Sequence, residues 1–268
     1  MTHAVSSRPR SWALIVCSLI LIALSVPTAI DEWRNALLGV DASAAWLAVG
    51  ASTLSAIVGL AFLAWAARLT PTVLSWLAAV GWGTGGALIL AGRGNGFIDL
   101  AVESSNLGDD AVDFVTSVVT GPVVEETAKG IGVLALILAA RKVLDRPAQG
   151  GVLGALVGLG FAWGEDIGYY VSALEDGMSG LWESFLARAL LGAYGHAIFT
   201  GVFGYALAWA VLRARNAIVG FLAAAGGFVG ALALHAQANG VGFLAPEDSW
   251  NLTYGAIEIP VLVVSVVL

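Results

Sequence analysis

Residues 121–140 read GPVVEETAKGIGVLALILAA, an apolar run that is interrupted near its start by Glu125, Glu126 and Lys129. The run is long enough to cross a bilayer as a helix, because a hydrocarbon core about 30 Å thick needs about 20 helical residues. An ionisable side chain inside a membrane costs roughly 2.5–3.5 kcal/mol, so these three groups require a compensating role. The stretch therefore predicts a membrane helix that carries a polar site.

The composition of the whole chain extends this prediction, since 59% of the 268 residues are hydrophobic and only 12% are charged. A soluble domain has about 45–50% apolar and about 25% charged residues. A core of this size cannot hide so much apolar surface, because much of a small protein's surface stays in water. The composition thus excludes a soluble enzyme and a disordered chain. The net charge of −7 excludes a nucleic-acid partner, which would need a basic surface.

Apolar runs separated by charged or turn-rich gaps predict an all-α, polytopic membrane protein with about eight transmembrane helices. The chain reads as a single domain over 1–268, with a motif-bearing core at 111–240 and motif-free N-terminal spans in 1–110. Within the fourth run, Gly121-Pro122 provides a site for a local distortion of the helix; if the helix proper starts at Pro122, then 111–120 would form a separate short helix. The runs are Trp12–Ile30, Ala42–Ala67, Val73–Ala91, Ala111–Ala140, Gly150–Leu174, Ser184–Leu212, Ala217–Gly240 and Leu252–Leu268.

The charges of the loops predict the orientation. Eight of the 12 basic residues lie on one side of the predicted membrane, in the N-terminal segment and in the loops that follow the second, fourth and sixth runs. The loops on the other side are acidic. Basic residues accumulate on the cytoplasmic side of membrane proteins, so the N-terminus is predicted to be cytoplasmic. The expected location of the protein is a bacterial plasma membrane. The basic residues of that side are Arg8, Arg10, Arg68, Arg141, Lys142, Arg146, Arg213 and Arg215.

Four successive runs carry ionisable side chains at one depth. At 1.5 Å per residue, Glu126, Glu165, His196 and His235 each lie about 22–27 Å from the cytoplasmic ends of their helices. Scattered structural polarity would not converge on one layer. We therefore interpret the four positions as a shared site toward the outer half of the membrane.

Each of these runs also places a second residue one helical turn from the first. Residues four apart share a helix face, so each helix presents a polar group together with an orienting neighbour. Glu125 and Glu126 are adjacent and diverge by about 100°, so they cannot face one atom without a local distortion of the helix. The pairs are Glu125 and Lys129, Phe161 and Glu165, His196 and Thr200, and His235 and Asn239.

Two histidines and several carboxylates are the ligand types of a catalytic zinc site, which keeps one position open for water. Zinc acidifies that water, and a remaining glutamate takes its proton. Without metal, a glutamate–histidine pair activates water directly, while the second histidine and Asn239 stabilise an oxyanion. Both routes predict hydrolysis within the membrane, most naturally of a peptide bond.

Other interpretations remain open from the residues alone. Glu125 and Lys129 fit a neutralised intramembrane ion pair, and a single membrane histidine fits a hydrogen bond between helices. Carboxylates and histidines at one depth also suit an ion- or proton-coupled transporter, although the sequence contains no inverted repeat. A pseudoenzyme that binds single-span partners through glycine-rich helix faces is a third interpretation.

The four residue pairs resemble the motifs of the PrsW family of intramembrane proteases, which read EExxK, FxxxE, HxxxT and HxxxN or HxxxD. All four elements occur here in order, between Pro122 and Gly240. The superfamily of CAAX-prenyl and bacteriocin-processing proteases is also similar, but it typically has histidine at the position of Glu165. The resemblance to the PrsW family is therefore the closer one.

The resemblance implies an intramembrane endopeptidase that cuts a membrane-anchored, single-span substrate, of which an anti-sigma factor is the best-known example. The family is described both as a metalloprotease and as a glutamic protease, so a zinc cofactor and a metal-free mechanism are both compatible with it. The predicted catalytic residues are Glu125, Glu126, His196, His235 and Asn239, and the predicted metal ligands are Glu165, His196 and His235.

Overall fold

The computed structural model describes residues 11–66, 72–191, 194–244, 252–253, 255–257 and 259–260. Over these residues the chain forms helices and no strand, which confirms the predicted all-α class. The helices are α1 Trp12–Ala36, α2 Ala42–Ala66, α3 Val73–Glu103, α4 109–140, α5 Pro147–Ala173, α6 Gly177–Phe185, α7 Gly195–Arg213 and α8 Ala217–Leu244.

Five helices within the described part of the chain, α1, α2, α3, α7 and α8, are long and apolar enough to cross a membrane. The two helices α4 and α5 carry the glutamates and the lysine of the predicted site and are not among the five, although the 27 residues of α5 extend about 40 Å. The chain is thus an all-α membrane protein, whereas the count of eight spans stays a prediction. The predicted span Leu252–Leu268 lies largely outside the described residues.

The structure decides the boundary that the sequence leaves open in the fourth run and contradicts the predicted boundary in the sixth run. Residues 109–140 form one uninterrupted helix with a π-helical stretch at Val115–Thr120, so 111–120 is not a separate helix. A π-turn widens the helix just before Pro122, which lacks the amide hydrogen for a regular bond. The run Ser184–Leu212 is not a single helix, because the backbone of Tyr194 is left-handed (φ 63°) and separates α6 from α7. A right-handed helix cannot continue through that conformation.

Helix α5 lies at the centre of the fold and packs most extensively against α7. The contact follows glycines spaced four apart in α5. A Cβ atom on Gly154 would lie 2.3 Å from the carbonyl oxygen of Thr200, and one on Gly158 would lie 2.1 Å from that of His196. Small residues allow this close approach of membrane helices. The glycines therefore fix the position of the α7 backbone at both residues.

Helix α3 holds α4 and α5 together through a π-helical stretch at Trp82–Ala87. The indole of Trp82 donates a hydrogen bond of 3.0 Å to the carbonyl oxygen of Ala128 in α4. The hydroxyl of Thr84 donates one of 2.8 Å to the carbonyl oxygen of Gly160 in α5. These two bonds fix the relative position of the helices that carry the site glutamates.

Candidate active site

The buried ammonium group of Lys129 lies at the centre of a polar cluster between α4, α5, α7 and α8. Its Nζ atom lies 3.2 Å from Glu125 Oε2 and 2.8 Å from Glu126 Oε1. The same atom lies 2.8 Å from His196 Nδ1 and 3.9 Å from the centre of the Phe161 ring. Three oppositely charged or polar partners and an aromatic face thus replace the water that a buried lysine loses.

Glu126 connects three helices, and its side chain is only 1% exposed. Its Oε1 atom accepts from Lys129 and lies 3.1 Å from His235 Nδ1, while its Oε2 atom accepts a hydrogen bond of 2.9 Å from the hydroxyl of Thr200. Both carboxylate oxygens are therefore occupied. The arrangement uses Glu126 to orient His235.

Glu125 points in a different direction from its neighbour, as the step of about 100° between adjacent helical residues requires. Its Oε2 atom contacts Lys129 and lies 3.8 Å from His235 Nε2. Its Oε1 atom makes no hydrogen bond with any residue that the structure describes. Glu125 is therefore the carboxylate of the pair that has a free oxygen at the site.

The two imidazole rings lie against each other, with ring centres 4.8 Å apart and planes nearly perpendicular. The Nε2 atom of His196 lies 3.1 Å from Glu165 Oε2. Because an ammonium group only donates, His196 Nδ1 accepts from Lys129 and its Nε2–H donates to Glu165. The ring of Phe199 stacks on His235 with centres 5.2 Å apart, so apolar contacts also hold this histidine.

Arg188 is a site residue that the sequence reasoning missed, because its place near the start of a run groups it with the loop charges. Its guanidinium donates to Glu165 and to Asp166, and it lies 3.8 Å over the ring of Tyr169. A signal was present, since Arg188 falls inside the predicted run Ser184–Leu212 and a guanidinium there needs a carboxylate partner. Arg188 fixes the carboxylate that in turn contacts His196.

One carboxylate and both histidines form a group that fits a metal ion. A ligand atom from each of Glu125, His196 and His235 lies within 4.8 Å of the other two. Two imidazoles and a carboxylate are the ligands of many catalytic zinc sites. The contact between His235 Nδ1 and Glu126 is the carboxylate support that metal-binding histidines have. The sequence prediction includes Glu165 in this set, whereas in the structure Glu165 contacts Arg188 and His196.

Asn239 lies near the cluster but has a different hydrogen-bond partner. Its amide donates a bond of 2.8 Å to the carbonyl oxygen of Ser117, in the π-helical stretch of α4. Asn239 also lines a cavity of about 360 Å³, the histidine cavity, together with His196, His235, Ser52 and Ser117. No hydrogen bond joins Asn239 to a carboxylate among the described residues. Its predicted catalytic role stays a prediction.

Residues 71–268 match the sequence model of the family described as PrsW family intramembrane metalloprotease. The chain belongs to the PrsW family. It is thus an intramembrane protease, and this favours hydrolysis over the transport alternative. No curated protein and no solved structure matches the chain. The matched residues extend on both sides of the motif-bearing core at 111–240 and include all of α3.

The structure shows what the paired spacing of the candidate residues does in this chain. In three of the pairs, the residue that accompanies the catalytic or metal-binding candidate contacts a different helix. Phe161 packs against Lys129, Thr200 donates to Glu126, and Asn239 donates to Ser117. These three accompanying residues therefore hold the helices of the site in register, in addition to facing the same side as their neighbours.

Proposed function

We propose that this PrsW protein hydrolyses a peptide bond in or next to the transmembrane segment of a single-span membrane protein, with water as the nucleophile. The observation that carries the proposal is the convergence of Glu125, His196 and His235, whose ligand atoms lie within 4.8 Å of one another. Both histidines line the histidine cavity, which has a volume of about 360 Å³. A peptide backbone in that cavity would lie next to the reactive groups.

Glu125 is the group that takes the proton of the attacking water. Its Oε1 atom is free of hydrogen bonds from the described residues, whereas both oxygens of Glu126 are occupied. A positioned carboxylate base contributes typically about 10²–10⁴-fold to the rate. The proton then passes to the leaving amine, and Glu126 keeps the imidazole of His235 in place throughout.

Glu125, His196 and His235 would also hold a divalent metal ion, for which zinc is suited, if His196 Nδ1 exchanged its contact with Lys129 for the ion. The chemistry that such an ion supplies is polarisation of the scissile carbonyl and acidification of the attacking water. One oxygen of Glu125 suffices as a ligand, which leaves the other to take the proton. In the metal-free alternative, Glu125 and His235 perform the same proton transfer without a metal ion.

Asn239 faces the developing oxyanion in this proposal. The amide of Asn239 has a second hydrogen besides the one donated to Ser117, and it lines the same cavity as both histidines. A preorganised donor at this position stabilises the tetrahedral intermediate. Glu165 keeps His196 oriented through the 3.1 Å contact with its Nε2 atom.

The surroundings of the site support an extended peptide as the substrate. Several small side chains line the histidine cavity, among them Ser52, Ser55, Ala56 and Ala187, and they leave room for an extended main chain. We assign the substrate to single-span membrane proteins of the anti-sigma-factor kind. The distribution of loop charges supports a cytoplasmic N-terminus in a bacterial plasma membrane, with the site toward the outer half.

The test is cleavage of single-span reporter proteins that carry a tag at each end and are produced together with the chain in bacterial membranes. The unmodified chain should release tagged fragments that an immunoblot detects. Glu125→Gln and His235→Ala should lower cleavage by about 10²–10⁴-fold while the protein remains folded. Glu175→Gln is the matched control, because Glu175 is an exposed loop residue. Unchanged cleavage by Glu125→Gln and His235→Ala would contradict the proposed site.

A further inference from the structure

A second cavity reaches the same cluster from the side opposite the histidines. This glutamate cavity has a volume of about 250 Å³, and its walls come from α1, α3, α4 and α5. Glu125 and Glu165 line it, whereas His196 and His235 line the histidine cavity. Different residues line the two cavities, and the two sets of residues approach each other at the cluster, where Glu125 Oε2 lies 3.8 Å from His235 Nε2.

The wall of the glutamate cavity contains polar atoms without a protein partner. The indole Nε1 of Trp33 and the amide Oδ1 of Asn95 are buried, and neither has a hydrogen-bond partner among the described residues. Buried polar groups are normally paired, with protein or with ordered water. A cavity that holds water needs room and several polar partners, and this cavity offers both. An apolar lipid chain would leave these atoms and the carboxylates unsatisfied.

The cavity also lies next to the charged ends of two helices. It contacts α1 at Glu32 and Ala36, at the end where Asp31 and Arg34 occur. On α3 the last residue that lines the cavity is Asn95, and the charged residues Arg93 and Asp99 occur close to it in the same helix. Charged residues at helix ends mark the aqueous boundary of a membrane protein. One end of the glutamate cavity is therefore close to water, and the other end is at Glu125.

We propose that the glutamate cavity is a water-binding site that supplies the hydrolytic water to Glu125, separately from the histidine cavity that receives the peptide. This inference rests on the proposed proteolytic function. Each turnover consumes one water molecule, whose hydroxyl joins the acyl carbon and whose proton goes to the leaving amine. A supply from the carboxylate side lets a hydrophobic substrate fill the histidine cavity without blocking the entry of water.

The first test narrows the glutamate cavity at Gly92. Residues Leu88, Ala91, Gly92 and Asn95 share one face of α3 and line the cavity, and a Cβ atom on Gly92 would meet nothing within 4 Å. Gly92→Leu should lower kcat for the tagged reporter by about tenfold or more and leave KM within about twofold. Leucine is a better helix former than glycine, so α3 should remain intact. The matched control is Gly50→Leu, whose side chain also enters open space but lines neither cavity.

The second test measures water in the cavity without any substrate. Cys17 is the single cysteine, so Cys17→Ser gives a background in which one new thiol can be followed. Gly168→Cys places that thiol in the glutamate cavity, where a Cβ atom meets nothing within 4 Å, and Leu138→Cys places it on an exposed apolar face of α4. A small, membrane-impermeant thiol reagent should label position 168 at least about tenfold faster than position 138, because only the hydrated thiolate reacts. Adding Gly92→Leu should slow the labelling at position 168.

The outcomes separate this inference from the proposed function. Equal labelling at positions 168 and 138 would overturn the hydrated cavity. If Gly92→Leu slows the labelling at position 168 but leaves kcat unchanged, the glutamate cavity does not supply the hydrolytic water. If the unmodified chain cleaves no reporter but position 168 is labelled rapidly, the proposed function has failed and the cavity is nevertheless hydrated.

Discussion

The hydroxyl of Thr200 donates a hydrogen bond of 2.9 Å to Glu126 Oε2, and this contact joins α7 to α4 inside the buried cluster. The other oxygen of Glu126 lies 3.1 Å from His235 Nδ1. A side chain of one helix thus holds the carboxylate that orients a histidine of another. Thr200 influences the chemistry through Glu126 and His235, without itself facing the histidine cavity.

Thr200→Val should therefore impair both stability and activity. The substitution keeps the branched shape but leaves one oxygen of a buried carboxylate unsatisfied, at a cost of about 1–3 kcal/mol. The thermal unfolding midpoint in detergent and the rate of reporter cleavage should both fall. Thr200→Ser keeps the hydroxyl and should retain most of both properties. Equal losses in the two variants would show that packing, and not the hydrogen bond, is responsible.

Lys129→Met should destabilise the protein by about 3–5 kcal/mol, because it removes the cation between two buried carboxylates. The measurement is the unfolding free energy in a mixed-detergent titration. The double variant Lys129→Met with Glu126→Gln restores part of the charge balance and should be more stable than Lys129→Met alone. Additive losses in the double variant would contradict a direct ionic coupling of the two residues.

Arg188→Gln should lower the rate of reporter cleavage, since Glu165 and Asp166 both depend on the guanidinium of Arg188. Lysine cannot provide two donors in a fixed fork, so Arg188→Lys should restore only part of the activity. Because the ion pairs of Arg188 are partly buried, breaking them should also lower the unfolding midpoint. Arg215→Gln, at an exposed position, is the control and should behave like the unmodified chain.

The metal content of the purified protein distinguishes the ligand set of the structure from that of the sequence prediction. We expect about one zinc per chain and its loss in His196→Ala, His235→Ala and Glu125→Gln. Glu165→Gln should keep most of the zinc, because Glu165 contacts Arg188 and supports His196. Zinc that is lost in Glu165→Gln but kept in Glu125→Gln would favour the triad predicted from sequence. The measurement is elemental analysis of folded, monodisperse protein.

Gly158→Ala tests whether close helix packing positions His196. The new methyl group would lie 2.1 Å from the carbonyl oxygen of His196, so α7 has to move away from α5. Such overpacking costs about 1–3 kcal/mol, and the displaced histidine should also lower cleavage. Gly151→Ala is a matched control on the same helix, because its methyl group would lie 3.5 Å from the nearest atom. A Gly158→Ala protein with unchanged stability and activity would contradict this role.

The sequence by itself determined that the protein is surrounded by lipid, that it is all-helical, and which helices carry the site. A composition of 59% hydrophobic residues requires lipid around the helices, and the spacing of four places Lys129 beside Glu125 and Thr200 beside His196. These features are local, because helical periodicity depends only on neighbouring positions along the chain. They were sufficient to predict that residues of four helices share one polar layer, and the contacts among Lys129, Glu126, His196 and His235 agree with this.

Only the tertiary structure decided which side chains meet within that layer. Periodicity gives the face of each helix but not its rotation relative to its neighbours, which depends on close contacts such as Gly158 against His196. For this reason the sequence prediction groups Glu165 with the histidines, whereas in the structure Glu125 completes the group and Arg188 binds Glu165. The break at Tyr194 was equally invisible, because a left-handed residue inside an apolar run is stabilised by packing, here a bond of 3.3 Å from its hydroxyl to the carbonyl oxygen of Ser55.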